Sequence, residues 1–316
     1  MTIDVAQTVD VAVAVIHRED GMVLFAERPA GKACAGEWEF PGGKIEAGES
    51  ALDALVREID EELAMHVTRA RPWVTLQHAY AHAHVRLHFF IVTGWTGEPH
   101  GREGQQLVWQ DLHNMTVGPL LSANAPVIRA LQLPDIYAIS YADKMGTGRF
   151  LDRLRAALDR GLKLIQLRET TLPSRQFEVL ARNVLDITRG KAEVMVNSAM
   201  PWQDPASFGG LHLTSSDLMR LDKRPGFKRV AASCHNSAEL QQAARLGLDF
   251  VVLSPVQQTL SHPGSTALGV DGMRQLIRNY PLPVYALGGM HNRHLAAMQA
   301  HGAHGIAMMR AAWHQT

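Results

Sequence analysis

Beyond Asp135 the chain settles into a repeat of short apolar runs and amphipathic stretches, and that rhythm constrains the fold more than any other feature. The runs are Ile136–Ser140, Leu162–Arg168, Glu193–Asn197, Gly210–Leu213, Arg229–Ser233, Phe250–Ser254, Val284–Gly288 and Gly305–Met309. Most are separated by helical stretches such as Arg149–Leu158 and Ala238–Leu246. A continuous apolar run suits a strand covered on both faces, and parallel strands need a crossover long enough to hold a helix. Eight such units predict an α/β (β/α)8 barrel, a TIM barrel, of below-average length.

The residues before Asp135 follow another rhythm. Val11, Val13 and Val15 alternate with alanines, Glu19-Asp20-Gly21 makes a turn, and Met22 to Ala26 return, so residues 9–28 are predicted to form a hairpin. Trp73 to Gln77 and His84 to Trp95 supply further strands, and Ala123 to Leu131 a closing helix. This is mixed α+β. The 316 residues are therefore expected to divide into an α+β domain over 1–132 and a barrel over 135–316. The join Gln132-Leu-Pro-Asp135 is too short to act as a tether.

Composition narrows the function classes. Thirty-one basic residues balance 31 acidic ones, which leaves no electrostatic footprint for a nucleic-acid polymer or a membrane surface. The segment Met1 to Asp10 lacks the basic and apolar regions of a signal peptide, and no apolar run reaches the length of a membrane span. Cys34 and Cys234 read as separate reduced thiols. A cytoplasmic location is expected.

The chemistry is concentrated between Gly43 and Glu62. Gly43-Lys-Ile-Glu-Ala-Gly-Glu49 precedes Arg57-Glu58-Ile-Asp-Glu61-Glu62. At 100° per residue, Leu52, Leu55, Val56, Ile59 and Leu63 form an apolar stripe, and Glu58, Glu61 and Glu62 an adjoining arc of about 100°. Like charges so close repel, and a hard divalent cation is the natural compensation, because it prefers carboxylate oxygens and carries phosphates with it. A solvated acidic face is the plain alternative. Ser50 with Asp53 marks the helix start.

The pattern G-x5-E-x7-R-E-I-x-E-E resembles the Nudix box, the signature of enzymes that hydrolyse nucleoside diphosphates linked to another moiety. One position departs from it: Ala64 stands where the family usually has a glycine that caps the helix in a left-handed conformation. Trp38-Glu-Phe-Pro-Gly-Gly-Lys-Ile-Glu, Trp95-Thr-Gly-Glu-Pro, Gly101-Arg-Glu-Gly-Gln105 and Ala123-Asn-Ala-Pro-Val-Ile128 extend the resemblance to the MutT-type enzymes that convert 8-oxo-dGTP to its monophosphate and pyrophosphate. That resemblance implies a nucleoside triphosphate substrate and Mg²⁺, with Mn²⁺ as an alternative. It implies that Glu58, Glu61, Glu62 and the Gly42 carbonyl bind the metal, with Glu103 reaching in from a distant loop. It also implies that Glu58 deprotonates the attacking water, which Arg57 orients, beside Glu61. Arg28 and Asn124 would read the purine edge, with the backbone of Glu39, Phe40, Pro41 and Gly42 lining the other side. Asn124 also suits a helix N-cap. Ala33 and Ala83 replace a histidine and an arginine of that family, which weakens base selectivity more than phosphate chemistry. His78, His82, His84 and His88 read as the polar face of a strand, because Arg86 in their midst would oppose a cation.

Within the barrel, Gln166-Leu-Arg-Glu169, Gly210-Leu-His-Leu213, Ala232-Ser-Cys-His235, Leu253-Ser-Pro-Val256 and Leu287-Gly-Gly-Met290 resemble thiamine phosphate synthase and the TenI-like proteins. Gly288 and Gly289 would bring backbone N–H groups to a phosphate, as would the turn after Met309. The synthase also needs charges for its diphosphate, and here the sequence departs. Asn197-Ser-Ala199 stands for Asn-Asp-Arg, Thr170 for a lysine and His262 for a basic loop residue, and only Asp217 remains as an acidic ligand. A catalytically degenerate barrel that retains a thiamine-related phosphate is expected. The alternatives are an active synthase, or a hydrolase of thiamine-pathway diphosphates with the barrel as a ligand-binding or regulatory module.

Overall fold

The computed structural model describes residues 8–80, 83–201, 207–258 and 266–314. The chain divides into two compact units, residues 1–132 with 279–281, and residues 133–278 with 282–316. The first contains β1 (Val9–Ile16), β2 (Val23–Glu27), β3 (Trp38–Glu39), β4 (Gly42–Lys44), α1 (Ala51–Leu63), β5 (His66–Ala79), β6 (His84–Thr96), β7 (Leu107–Gln110) and α2 (Asn124–Leu131). One sheet runs β4-β1-β6-β5 and the other β3-β2-β7.

The predicted hairpin over 9–28 is not a sheet pair. Its turn forms, with Arg18 N–H donating to the Met22 carbonyl at 2.9 Å. Only a single bridge, His17 to Val23, joins the two strands, and they lie in different sheets. The reason is competition for edges: β1 pairs with β6 in parallel from Val9 to Ile16 and with β4 on its other side. Its alternation serves two cores instead. Val13 and Val15 pack with Phe25, Phe40 and Phe89. Ala12, Ala14 and Ile16 pack with Ala54, Leu55, Ile59 and Leu63 of α1.

Ser50 starts α1 as expected, its hydroxyl accepting from Asp53 N–H at 3.2 Å. The buried face is Ala54, Leu55, Ile59 and Leu63, whereas Leu52 is 43% exposed, so the apolar stripe is rotated from the one drawn on the sequence. Ala64 takes the left-handed cap at φ 57° without being glycine. Its N–H reaches the Asp60 carbonyl at 3.1 Å, and Met65 N–H reaches that of Ile59 at 3.4 Å, a cap that satisfies last-turn carbonyls.

The second unit comprises β8 (Ile136–Ile139), α3 (Ala142–Met145), α4 (Thr147–Asp159), β9 (Leu164–Leu167), α5 (Ser174–Thr188), β10 (Glu193–Asn197) and β11 (Gly210–Leu213). It continues through α6 (Ser215–Arg220), β12 (Arg229–Cys234), α7 (Ser237–Arg245), β13 (Phe250–Leu253), α8 (Gly269–Leu276), β14 (Val284–Ala286), α9 (Leu295–Ala300), β15 (Gly305–Met308) and α10 (Arg310–Trp313). Strands β8 to β15 close into a barrel, every pair parallel. Tyr137, Met195, Phe250 and Tyr285 fill its interior. Phe150, Phe177, Leu180 and Trp313 pack between strands and helices. Ser140, Arg168, Ser254, Gly288 and Met309 fall just past the strands and are thereby delivered to the loops at their C-terminal ends. No helix among the described residues is long and apolar enough to cross a membrane.

Candidate active site

Arg57 organises the acidic helix. Its Nε and one Nη grip Glu49 at 2.9 Å each, the other Nη reaches Glu58 at 2.9 Å and Glu61 at 3.2 Å, and the remaining N–H meets the Lys44 carbonyl at 3.1 Å. All five guanidinium donors are thus engaged. The Glu49 carboxyl is held below its usual range by these bonds and by the Glu46 N–H. Arg57 therefore ties the loop after β4 to the helix and fixes Glu58.

Glu58 is fixed from the other side by what β4 lacks. A Cβ on Gly43 would coincide with the Glu58 carboxylate, so the carboxylate occupies space that only glycine leaves open. Gly42 is required for another reason: its Cβ would strike the Ala12 backbone across the β1–β4 pair.

Glu103 is delivered by the end of α1. The last helical carbonyls need partners, and the loop after β6 supplies them. His100 N–H donates to Leu63 O at 2.9 Å and Arg102 N–H to Glu62 O at 2.9 Å. The side chains of Arg102 and Gln105 reach Asp60 O at 2.9 Å and Glu62 O at 3.2 Å. That docking sets Glu103 near Glu62. Lys32, from the loop between β2 and β3, lies between them, ion-paired to Glu103 and 3.6 Å from Glu62. The Glu62 carboxyl is pushed up to about 7, first by burial and then by Glu103, Glu58 and Glu39, with Lys32 opposing.

Two cations thus divide the four candidate metal ligands: Arg57, besides gripping Glu49, takes Glu58 and Glu61, and Lys32 takes Glu62 and Glu103. As placed, no group of three or more His, Cys, Asp or Glu among the described residues gathers tightly enough to hold a metal. The donor set nevertheless fits a hard divalent ion. It is all oxygen, it carries excess negative charge, and its partly buried member already leans on a neighbouring ammonium.

The base side differs from expectation in detail. Arg28 is committed to Glu39, with bonds of 2.7 and 2.8 Å, and its Nε donates to Ala33 O at 2.6 Å. Burial raises the Glu39 carboxyl despite that partner. Asn124 is no N-cap: Ala123 holds that position, while Asn124 is buried and its amide donates to Trp38 O at 3.4 Å. The Phe40 ring lies in the core 4.6 Å from Phe25, and the Pro41 carbonyl is taken by Ala14 N–H at 2.8 Å. Lys32 was not singled out by sequence, and Arg102 and Gln105 only as part of the Gly101–Gln105 block, because their partners are far along the chain. His88 pairs with Asp10 at 2.8 Å and His78 with Ser122 at 2.9 Å, as a structural row would; His82 lies outside the described residues.

The barrel holds a cavity of about 720 Å³ at the strand C-terminal ends. Gln166, Asn197 and Ser233 line its floor, Arg168, His235, His291 and Arg310 stand around it, and Gly288 and Gly289 form one wall. Beneath lies a neutral chain. Asn197 donates to Gln166 at 3.2 Å and Gln166 to the Tyr137 hydroxyl at 3.2 Å; that hydroxyl lies 3.1 Å from His212 Nδ1 and His212 Nε2 2.9 Å from Ser233. Burial, then Arg168, lowers His212 to about 3, so it is neutral. Glu169 instead accepts from the N–H groups of Ala142 and Asp143, both at 2.8 Å. The Ser198 and Thr214 hydroxyls both donate to Asp217, at 2.5 and 2.8 Å, which holds that carboxyl below its usual range. His262 lies outside the described residues.

The profile of the thiamine monophosphate synthase family matches residues 136–312, and that of the NUDIX domain matches residues 12–130. An 8-oxo-dGTP diphosphatase of Haemophilus influenzae is 37% identical over 123 residues, 39% of this chain and 90% of the relative. The chain belongs to both families. Its first unit is a Nudix hydrolase domain and its second a thiamine phosphate synthase-like barrel. A CTP pyrophosphohydrolase of Escherichia coli is 38% identical over 122 residues, 39% of this chain and 90% of the relative. A putative thiamine-phosphate synthase 2 of Aquifex aeolicus is 33% identical over 181 residues, 56% of this chain and 96% of the relative.

Proposed function

We propose that the Nudix domain hydrolyses 8-oxo-dGTP, or a related nucleoside triphosphate, to the monophosphate and pyrophosphate. The observation that carries the proposal is the fixing of Glu58 between the Arg57 guanidinium and the bare Cα of Gly43, beside the raised carboxyl of Glu62. A carboxylate so immobilised is suited to take a proton from water, and Arg57 acts by positioning it. Glu58, Glu61, Glu62 and Glu103, with the Gly42 carbonyl, would hold the divalent ion, Mg²⁺ or Mn²⁺. When bound, it would supply positive charge to offset the charge that develops on the phosphate oxygens. Asn124 supports a purine, since its buried amide has a fixed orientation and its Oδ1 accepts no bond among the described residues.

The barrel is proposed to bind a phosphate monoester of the thiamine pathway without making thiamine phosphate. No carboxylate lines its cavity among the described residues, and Asp217 is already satisfied by two hydroxyls. Gly288 and Gly289 remain suited to a phosphate, because they line the cavity with backbone unscreened by a side chain.

One panel tests the hydrolase reading: initial hydrolysis rates for 8-oxo-dGTP, dGTP, CTP, hydroxymethylpyrimidine diphosphate and thiamine diphosphate. The proposal expects the highest kcat/KM with 8-oxo-dGTP. Preference for CTP would reassign the nucleobase. Preference for either thiamine-pathway diphosphate would favour the second reading, which the covalent fusion to the barrel supports. Synthase activity is assayed in a full-length Glu58→Gln chain, so that hydrolysis cannot consume the diphosphate. Thiamine phosphate formation there would refute the barrel assignment.

A further inference from the structure

We infer that Lys32 is a tethered counter-ion of the hydrolase site, standing between Glu62 and Glu103 until a divalent cation displaces it onto the phosphates of the nucleotide. The inference rests on the proposed metal role of those two glutamates.

The two internal cations of the site are built differently. Arg57 has no spare donor, its planar fork being locked by two backbone-anchored segments, so it is permanent structure. Lys32 is a point charge on a flexible stem, 44% exposed, and its partner Glu103 is 41% exposed. The loop beneath it is anchored, with Arg28 Nε bonded to Ala33 O at 2.6 Å, Gly36 N–H to Arg28 O at 3.0 Å and Lys32 N–H to Pro29 O at 3.3 Å. The lysine backbone is therefore held in place while its ammonium is free to swing.

Charge counting sets the direction of that swing. Glu62 feels Glu103, Glu58 and Glu39, and Lys32 is the cation set against them. One ammonium cannot neutralise such a group, and a divalent ion in the same gap gains about twice the attraction. Once the ion is in place, the same carboxylates no longer favour the ammonium, whereas an incoming triphosphate presents several negative charges. Lys32 thus competes with the bare metal and assists the nucleotide.

That double role predicts effects of opposite sign. Lys32→Met keeps the stem and removes the charge, and Lys32→Arg keeps the charge. Calorimetric titration of Mn²⁺ into nucleotide-free, full-length protein should show about 3- to 5-fold tighter binding in Lys32→Met and near wild-type binding in Lys32→Arg. KM for the nucleoside triphosphate should rise by a similar factor in Lys32→Met, with a smaller change in kcat. Thermal unfolding of each variant confirms that the fold is intact. Weaker Mn²⁺ binding in Lys32→Met would overturn the inference, because Lys32 would then be orienting Glu103 for the metal. Unchanged Mn²⁺ affinity and KM would reduce Lys32 to a surface ion pair and overturn it equally. Glu62→Gln and Glu103→Gln separate the two layers of the argument. Undiminished Mn²⁺ affinity in both would remove the metal reading itself, whereas its loss beside an unaltered Lys32→Met would sink only the role given to Lys32.

Discussion

Gly43→Ala adds one methyl group and removes nothing, which makes it a sharp probe of how Glu58 is held. The new Cβ would overlap the carboxyl carbon and both oxygens of Glu58, so that group must retreat by roughly 1.5 Å to regain van der Waals contact. Gly43 has no positive φ, and its neighbours in β4 stay paired with β1, so the backbone tolerates alanine. The loss is local: the 2.9 Å bond from Arg57 to Glu58 breaks, costing about 1 kcal/mol, or about 2–4 °C in Tm. A misplacement of about 1 Å in a catalytic group costs on the order of 10²-fold in rate. Steady-state hydrolysis and thermal unfolding, measured together, should therefore show kcat down about 100-fold with a nearly native Tm. Gly42→Ala should instead lower Tm clearly, because its Cβ meets the Ala12 backbone and disrupts the sheet. A folded Gly43→Ala enzyme with kcat near that of wild type would refute the role given to Glu58.

Ala64→Gly should raise stability by about 0.5–1 kcal/mol, since it relieves a left-handed alanine at φ 57°; a lower denaturant midpoint would contradict that. Asn124→Ala should lower kcat/KM for 8-oxo-dGTP by about 1–3 kcal/mol equivalent and for dGTP by less. Equal losses would leave Asn124 only its bond to the Trp38 carbonyl. His212 gives the barrel a pH dependence. Its folded value of about 3 lies below the ordinary 6.5, so the unfolded chain binds the extra proton and stability falls as pH drops through that window. The slope is about 1.4 kcal/mol per pH unit, fully recovered above 6.5. Denaturant midpoints at several pH values should lose that slope in His212→Asn, and an unchanged slope would mean that His212 is not the titrating group.

Much of this was legible in the sequence because the signals were local. Each barrel strand is apolar on both faces and bounded by its own loop, so Glu193–Asn197 and Gly210–Leu213 were located to the residue. The spacing from Gly43 to Glu62 likewise announced a loop and one helix. What failed depended on partners remote in sequence. Nothing near Val11 says that β6, some 75 residues later, will claim the edge expected for β2. Leu52 lies on the drawn stripe, but the core that α1 meets is centred on Leu55 and Ile59. Ala64 keeps its left-handed cap because the bonds to Asp60 and Ile59 are made by the backbone and do not depend on the side chain. Lys32 finds Glu103 across 71 positions and Gln105 finds the Glu62 carbonyl across 43. No periodicity carries such information.

The central claim is that the carboxylates of α1 form the hydrolytic site of a nucleoside triphosphate pyrophosphohydrolase. Its most direct test is kcat with saturating 8-oxo-dGTP and Mg²⁺ for Glu61→Gln and Glu62→Gln, each isosteric and each removing one negative charge. The account predicts a fall of about 10²-fold or more in both, with circular dichroism unchanged and the metal-free Glu62→Gln protein no less stable than wild type. Turnover near the wild-type rate in both folded variants would contradict it.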